Sequence, residues 1–192
     1  MNVYMALRFA YTLHFMPALK ETYAYLRENG VNKFPDFSPY RPDVPWISQS
    51  LPEAAWPAEV TPINVTTVGP IVVSVATAEE QDPALAAWLA RRPTVLINLG
   101  STVRYNEERA RAMAGAVAVV LRQQPGIQVL WKFRKWGNFS DEFKEPLQEF
   151  LDQGRLKMES WLTVDPPSIL ESGHVAAFVH HGGSNCYHEA IA

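Results

Sequence analysis

Two histidines, two glycines, a serine and an asparagine run together at His180-His181-Gly182-Gly183-Ser184-Asn185, with Cys186 next and Glu189 four residues beyond Asn185. These types in this order suit anion chemistry. Glycines let backbone N–H groups come close to a phosphate, and a helix starting just after them adds the positive end of its dipole. Ser184 and Asn185 are residue types that cap helices, so a helix is expected to open on them. Asn185 and Glu189 then share a face. A carboxylate one turn inside a helix is a poor phosphate ligand but accepts hydrogen bonds from sugar hydroxyls. The stretch reads as a nucleoside diphosphate site, with His181, Gly183, Ser184 and Asn185 for phosphate and Glu189 for ribose. The plain alternative is a turn whose glycines serve geometry alone.

Such a turn needs a strand to lead into it, and the apolar run Val175–Val179 predicts a buried one. Upstream, strand and helix signals alternate. Thr94–Leu99 predicts a buried strand, Gly100-Ser101-Thr102 a turn, and Asn106 the cap of a helix reaching about Gln124. Ile127–Phe133 predicts a second strand, Asp141–Gln153 a helix ended by Gly154, and Leu156–Met158 a third strand with Trp161 after it. Pro166-Pro167-Ser168 starts a short helix before the last strand. This alternation, with strands lacking a polar face, argues an α/β fold with a parallel, doubly wound sheet. In such sheets ligands sit beyond the carboxyl ends of the strands. Gly100-Ser101, Trp161 and the His181–Asn185 turn all fall at those ends. Trp131 reads as core, and Lys132 and Arg134 as a solvated basic loop.

The first part of the chain differs. Residues 3–29 carry helical spacing that Pro17 breaks into two helices or one kinked one, stopped by Asn29-Gly30. Seven prolines fall between residues 31 and 62: Pro35, Pro39, Pro42, Pro45, Pro52, Pro57 and Pro62, interleaved with Trp46 and Trp56. Proline forbids regular ladders while tryptophan asks for burial, so an ordered, extended segment lying on a partner surface is expected. Val65–Val75 predicts a strand-like region around Gly69-Pro70. Residues 76–92 predict an acidic connector and a short helix, capped by Asp82, begun by Pro83, with Trp88 packing inward.

Composition bounds the function. The chain has 192 residues, 47% hydrophobic, a content that supports a real core. A net charge of −3 gives no electrostatic case for nucleic acid or an anionic membrane. One cysteine, Cys186, excludes an internal disulfide and cysteine-rich metal sites. No apolar run approaches the ~20 residues of a membrane span, and the N-terminal residues lack the order of a signal peptide. The compartment stays open between cytoplasmic and membrane-associated.

Taken together, these residues resemble the donor-sugar signature of the UDP-glycosyltransferases of the GT-B fold (glycosyltransferase family 1), especially the fungal and sterol-type branch. The resemblance rests on four ordered pieces. They are Asn98-Leu99-Gly100-Ser101; Asn106-Glu107-Glu108-Arg109-Ala110 leading to Val129-Leu130-Trp131-Lys132; Trp161-Leu162 followed by Pro167, Ile169-Leu170 and Val175–Phe178; and His180–Cys186 with Glu189. It implies a partial GT-B fold. Residues 1–75 would be the remnant of the N-terminal acceptor domain with its Pro-rich linker, and residues 76–192 the first part of the C-terminal UDP-sugar-binding domain. It further implies that Trp161 stacks on uracil with the Leu162 backbone at the base edge, that Ser101, His181, Ser184 and Asn185 hold the diphosphate, and that Glu189 holds ribose.

The implied reaction is transfer of a sugar from a UDP-sugar to a hydroxyl of a small lipophilic acceptor, with inversion. No cofactor is expected, and no metal, since no Asp-x-Asp signature occurs.

The chain also departs from the family pattern. Thr163-Val164-Asp165-Pro166 stands where Pro-Gln is common, and Cys186 where serine is usual. The Gly-x-Pro strand and acidic pair that follow in the family are not in this sequence. Nor is the general-base histidine in its Gly-His setting; His14 lacks that context and reads as a core or helix-end histidine. The expectation is therefore a chain truncated at both ends, with no catalytic base of its own. The alternative is a non-catalytic or partner-dependent nucleotide-sugar-binding half-module, completed by a possible second chain.

Overall fold

The computed structural model describes residues 3–31, 43–51, 53–54, 60–72 and 75–192. The chain divides into two compact units, residues 1–46 and 47–192.

In the first unit, α1 (Val3–Phe15) and α2 (Pro17–Glu28) follow each other with Pro17 as the first residue of the second helix. Proline has no N–H to lose there, and its ring would clash inside a continuous helix. Asn29 closes α2 by donating its side-chain amide to the Tyr25 carbonyl at 2.8 Å. His14 lies in α1, but its side chain is outside the described residues, as are Trp56 and the prolines Pro35, Pro39, Pro42, Pro52 and Pro57. The extended segment expected over 31–62 is described only in part: Trp46–Ser48 is extended but, against expectation, pairs in a regular ladder, because no proline falls within those three residues.

A two-stranded sheet follows, made of β1 (Trp46–Ser48), whose first residue is the last of the first unit, and β2 (Val65–Thr67). The strand-like region expected over 65–75 is thus shorter: past Thr67, Gly69 takes φ +78°, a left-handed conformation that ends the extended run. Two short helices follow. Thr77 opens α3 (Ala78–Gln81) with a full capping box, and Asp82 opens α4 (Pro83–Leu89) by accepting the Leu85 N–H at 2.9 Å.

Next come β3 (Thr94–Asn98), α5 (Glu107–Gln123) and β4 (Gln128–Lys132). The helix expected over 141–153 is a 3-10 helix, Asp141–Leu147, passing into α6 (Gln148–Asp152). Pro146 lies inside it and has no N–H to donate, so a continuous α-helical ladder over 141–153 is interrupted there. β5 (Leu156–Glu159), α7 (Pro166–Glu171), β6 (Val175–His180) and α8 (Ser184–Ile191) complete the order.

The main sheet is parallel throughout, in the order β5-β4-β3-β6. Alternate residues of its central strands feed two apolar layers. Ile97, Val129 and Trp131 pack with α5 and the 3-10 helix on one face. Leu96 and Leu130 pack with α4, α7 and the segment Leu162–Val164 on the other. Covering both faces is what a parallel sheet requires, and each fully buried leucine is worth about 1.5–3 kcal/mol. Among the described residues, buried side-chain polar atoms have hydrogen-bond partners. The Trp131 indole donates to the Tyr105 hydroxyl at 3.1 Å, and the Gln128 amide donates to the carbonyls of Trp88, Leu89 and Arg92 and to Thr94 Oγ1.

β6 is not the buried strand that its apolar sequence suggests. Ala176, Ala177 and Val179 are exposed. Among the described residues β6 pairs only with β3, so it forms an edge of the sheet and one of its sides lacks a covering layer.

Candidate functional site

The carboxyl ends of the four strands make one rim, and three turns leave it. After β3, the buried Asn98 accepts the Gly100 N–H through its side chain at 3.1 Å, which folds the chain sharply at Gly100, φ +82°. Ser101 follows, exposed. After β6, Gly182 takes φ +73° and donates its N–H to His180 Nδ1 at 3.2 Å. Gly183 then precedes α8.

Packing between these turns explains two of the glycines. A Cβ built on Gly100 would come 2.7 Å from Cε1 of His181, and one built on Gly183 would overlap the same imidazole. The His181 ring therefore fills the space between the β3 turn and the start of α8, and larger residues at 100 or 183 would evict it.

The helix start differs in detail from expectation. Gly183, not Ser184 or Asn185, is the cap residue, and no side chain caps it. Ser184 sits inside the helix, where its hydroxyl lies 3.3 Å from His188 Nδ1. The first-turn N–H groups are thus left without a side-chain acceptor, the condition under which a helix terminus receives an external anion. Asn185 is exposed, and Cys186 is buried and faces inward.

The third turn carries Trp161, and tertiary contacts position it. Leu162 and Val164 are buried in the α4/α7 layer. Thr163 donates its hydroxyl to Asp82 Oδ2 at 2.7 Å, and the Asp165 N–H bonds Gln81 Oε1 at 2.9 Å. Ser168 and Gln81 both reach the Ala76 carbonyl, at 2.7 Å each. The connector 76–82 is therefore the clamp of the Trp161 turn. The Thr163 hydroxyl and the Leu85 N–H also hold the Asp82 carboxyl below the usual carboxylate range. Trp161 itself is 56% exposed and so is no core tryptophan. Leu162, whose side chain is buried, has only its backbone to offer a ligand.

The structure groups the sequence candidates in two places. Ser101, His181 and Gly183 meet at the β3–α8 junction. Arg134 links that junction to Trp161: it donates to the Ser101 carbonyl and its guanidinium carbon lies 5.6 Å from the Trp161 ring centre. Asn185 and Glu189 line a neighbouring cavity of about 580 Å³, together with Ile47, Ile71, Asp165 and His188. Trp161 is not among that cavity's walls. Burial pushes the Glu189 carboxyl above its ordinary value, and burial, with the Glu189 charge second, pushes the Cys186 thiol up.

Lys132 corrects the expectation of a solvated basic loop. It is 8% exposed, with its ammonium 3.7 Å from the centre of the Trp161 ring. The sequence carried only a weak signal for this, a lysine closing an otherwise apolar strand. Gln81 and Thr163, which hold the Trp161 turn, lie some eighty residues apart in sequence and gave none.

The family model for UDP-glucoronosyl and UDP-glucosyl transferase matches residues 1–192. The chain belongs to the UDP-glycosyltransferases. Within that family it is 41% identical over 158 residues to glycosyltransferase sdnJ of Sordaria araneosa, a match covering 80% of this chain and 31% of that protein. It is 31% identical over 110 residues to anthocyanidin 3-O-glucosyltransferase 2 of Fragaria ananassa, covering 55% of this chain and 21% of that one. Among solved structures, UGT2 of Phytolacca americana complexed with UDP-2fluoro-glucose and pterostilbene superimposes with a TM-score of 0.50. That match is 20% identical and covers 76% of this chain and 31% of the other. It shares the GT-B architecture, and the strand–turn–helix rim described above belongs to that fold. This UDP-glycosyltransferase chain spans about a third or less of the length of these relatives.

Among its described residues no helix is long and apolar enough to cross a membrane.

Proposed function

We propose that residues 76–192 form the first part of the UDP-sugar-binding domain of a hexosyltransferase, and that residues 1–75 are the tail of its acceptor domain with the interdomain linker. The enzyme transfers a sugar from a UDP-sugar to a hydroxyl of a small lipophilic acceptor, with inversion at the anomeric carbon. Trp161 offers its exposed face to uracil, and the Leu162 backbone meets the base edge. Ser101, His181, Gly183, Ser184 and Asn185 receive the diphosphate, and Glu189 the ribose hydroxyls. The reading uses no metal cofactor, because helix dipole, backbone N–H groups and His181 can balance the departing diphosphate. The base that deprotonates the acceptor is not assigned to this chain.

One observation carries the reading. Trp161 and His181 lie on the same rim, on turns after the two outermost strands, joined through Arg134 and the Gly100–Ser101 turn. Three strand spacings amount to roughly 14 Å, so a ligand that touches both must be elongated, polar in the middle and flat at one end. A nucleoside diphosphate meets that description. The Phytolacca relative, solved with a UDP-sugar analogue and a small aromatic molecule, supports the donor and acceptor classes.

The test is a UDP titration of the folded chain followed by tryptophan fluorescence and calorimetry. Saturable binding that is lost on Trp161→Ala supports the reading. A folded chain with no UDP response sinks it.

A further inference from the structure

Lys132 closes β4 two residues after the fully buried Leu130 and therefore on the same face of the sheet, the α4/α7 side. The Lys132 side chain is buried as a whole, while its ammonium still reaches solvent. That ammonium has neither a counter-charge nor a protein hydrogen-bond acceptor among the described residues. Its close neighbour is the π face of Trp161, with Nζ 3.7 Å from the ring centre. A second cation, Arg134, stands over the same ring at 5.6 Å and is held by the Ser101 carbonyl, not by a carboxylate. Glu159 is the register neighbour of Lys132 on β5, yet it forms an ion pair with neither cation. Two like charges side by side repel one another. Burial first, and then Arg134, depress the Lys132 ammonium below the ordinary lysine value. The charge on Lys132 is also felt at Cys186, in the first turn of α8. The pair therefore sits among Trp161, the Ser101 turn and the open N-terminus of α8.

We propose that Lys132 and Arg134 form a cation pair that binds the diphosphate of the nucleotide sugar, a role that rests on the UDP-sugar reading above. In the free chain the Trp161 ring stands in for the missing anion. An entering diphosphate supplies the charge that both cations lack, on the rim where the uncapped start of α8 already presents N–H groups. The pair adds recognition of phosphate, not of base.

Because the pair reads phosphate, its contribution is the ratio of UDP to uridine affinity, measured by calorimetry on the full chain. Lys132→Met and Arg134→Met are each expected to cut that ratio about tenfold, the scale of one charge-assisted hydrogen bond, while uridine affinity stays near the parent's. Lys132→Arg is expected to restore most of it. Arg134 is only half-buried, so Arg134→Met keeps the test open should Lys132→Met fold poorly. Equal losses for uridine and UDP would mean that Lys132 merely props up Trp161, and would overturn the proposal.

Inorganic pyrophosphate separates this proposal from the nucleotide reading. It carries no base or sugar, and Trp161 lies against the pair, so pyrophosphate should alter Trp161 emission in the parent and not in Trp161→Phe. The response should weaken in both methionine variants. A parent that responds to pyrophosphate but not to UDP keeps the cation pair and loses the uridine reading. A parent indifferent to pyrophosphate, or variants that respond as the parent does, would end it.

Discussion

The imidazole of His181 occupies the space a side chain at Gly100 would need: Cε1 stands 2.7 Å from where the Cβ would be. Two strand-end turns, eighty residues apart in sequence, are thereby locked to one another by a single ring and a missing methyl group. Gly100→Ala should break the lock twice over. It strains a backbone at φ +82°, at about 1 kcal/mol, and pushes His181 out of the junction. We expect a lower melting temperature and UDP affinity reduced roughly tenfold, the scale of one charged hydrogen bond. Calorimetric titration of the folded variant checks it, and parent-like affinity would detach His181 from the site.

Direct removal of the site side chains should act on binding more than on folding, because His181 is exposed and Glu189 only partly buried. His181→Ala and Glu189→Ala are each expected to weaken UDP binding by about 1–3 kcal/mol. Unchanged affinity in both, measured on chains whose melting temperature is intact, would remove these residues from the nucleotide site.

Glu189 also makes a pH prediction. Burial raises its folded-state pKa above the ordinary 4.5. The folded chain then holds a proton that the unfolded chain has released. The contribution of Glu189 to stability is present below pH 4.5 and falls as pH rises through the raised value. Replacing Glu189 by Gln should flatten that fall, so the melting-temperature difference between variant and parent grows in the variant's favour from pH 4 to 7. UDP affinity of the parent should rise over the same interval, as an ionised carboxylate becomes available to the ribose hydroxyls. A difference independent of pH would refute the assignment.

Gln128 tests the frame that carries the rim. Its buried amide holds the carbonyls that end α4, and Thr94 of β3, to the start of β4. Gln128→Leu keeps the volume and deletes the donor, leaving buried carbonyls unpaired at about 1–3 kcal/mol in total or somewhat more. Chemical denaturation should register that loss, and a parent-like midpoint would show that water or a local shift replaces the amide.

Much of this protein was legible before any coordinates. The break at Pro17, the caps at Asn106 and Asp82, the order of the parallel strands' runs and the inward Trp88 all rest on local chemistry, which a sequence states outright. The helix expected over 141–153 differs in kind, a 3-10 helix followed by a short α-helix, with Pro146 interrupting the ladder. The cap of α8 was read one residue too far along, because Ser184 is a good cap by type but here turns its hydroxyl to His188. Val175–Val179 looked buried because apolar runs usually are; its place at the sheet edge depends on which strands flank it.

The sequence by itself determined the family signature, the α/β alternation and the residues from which a diphosphate site would be built, since these depend on residue type and short spacing. Tertiary structure alone decided that the Trp161 turn is clamped by Gln81 and Asp82, that His181 seats against Gly100, and that Lys132 lies buried beside Arg134 over the Trp161 ring. The reason is physical. Those contacts join groups that chain connectivity leaves tens of residues apart, and only the packing of both sheet faces fixes how far each strand end reaches and which charges must share one rim.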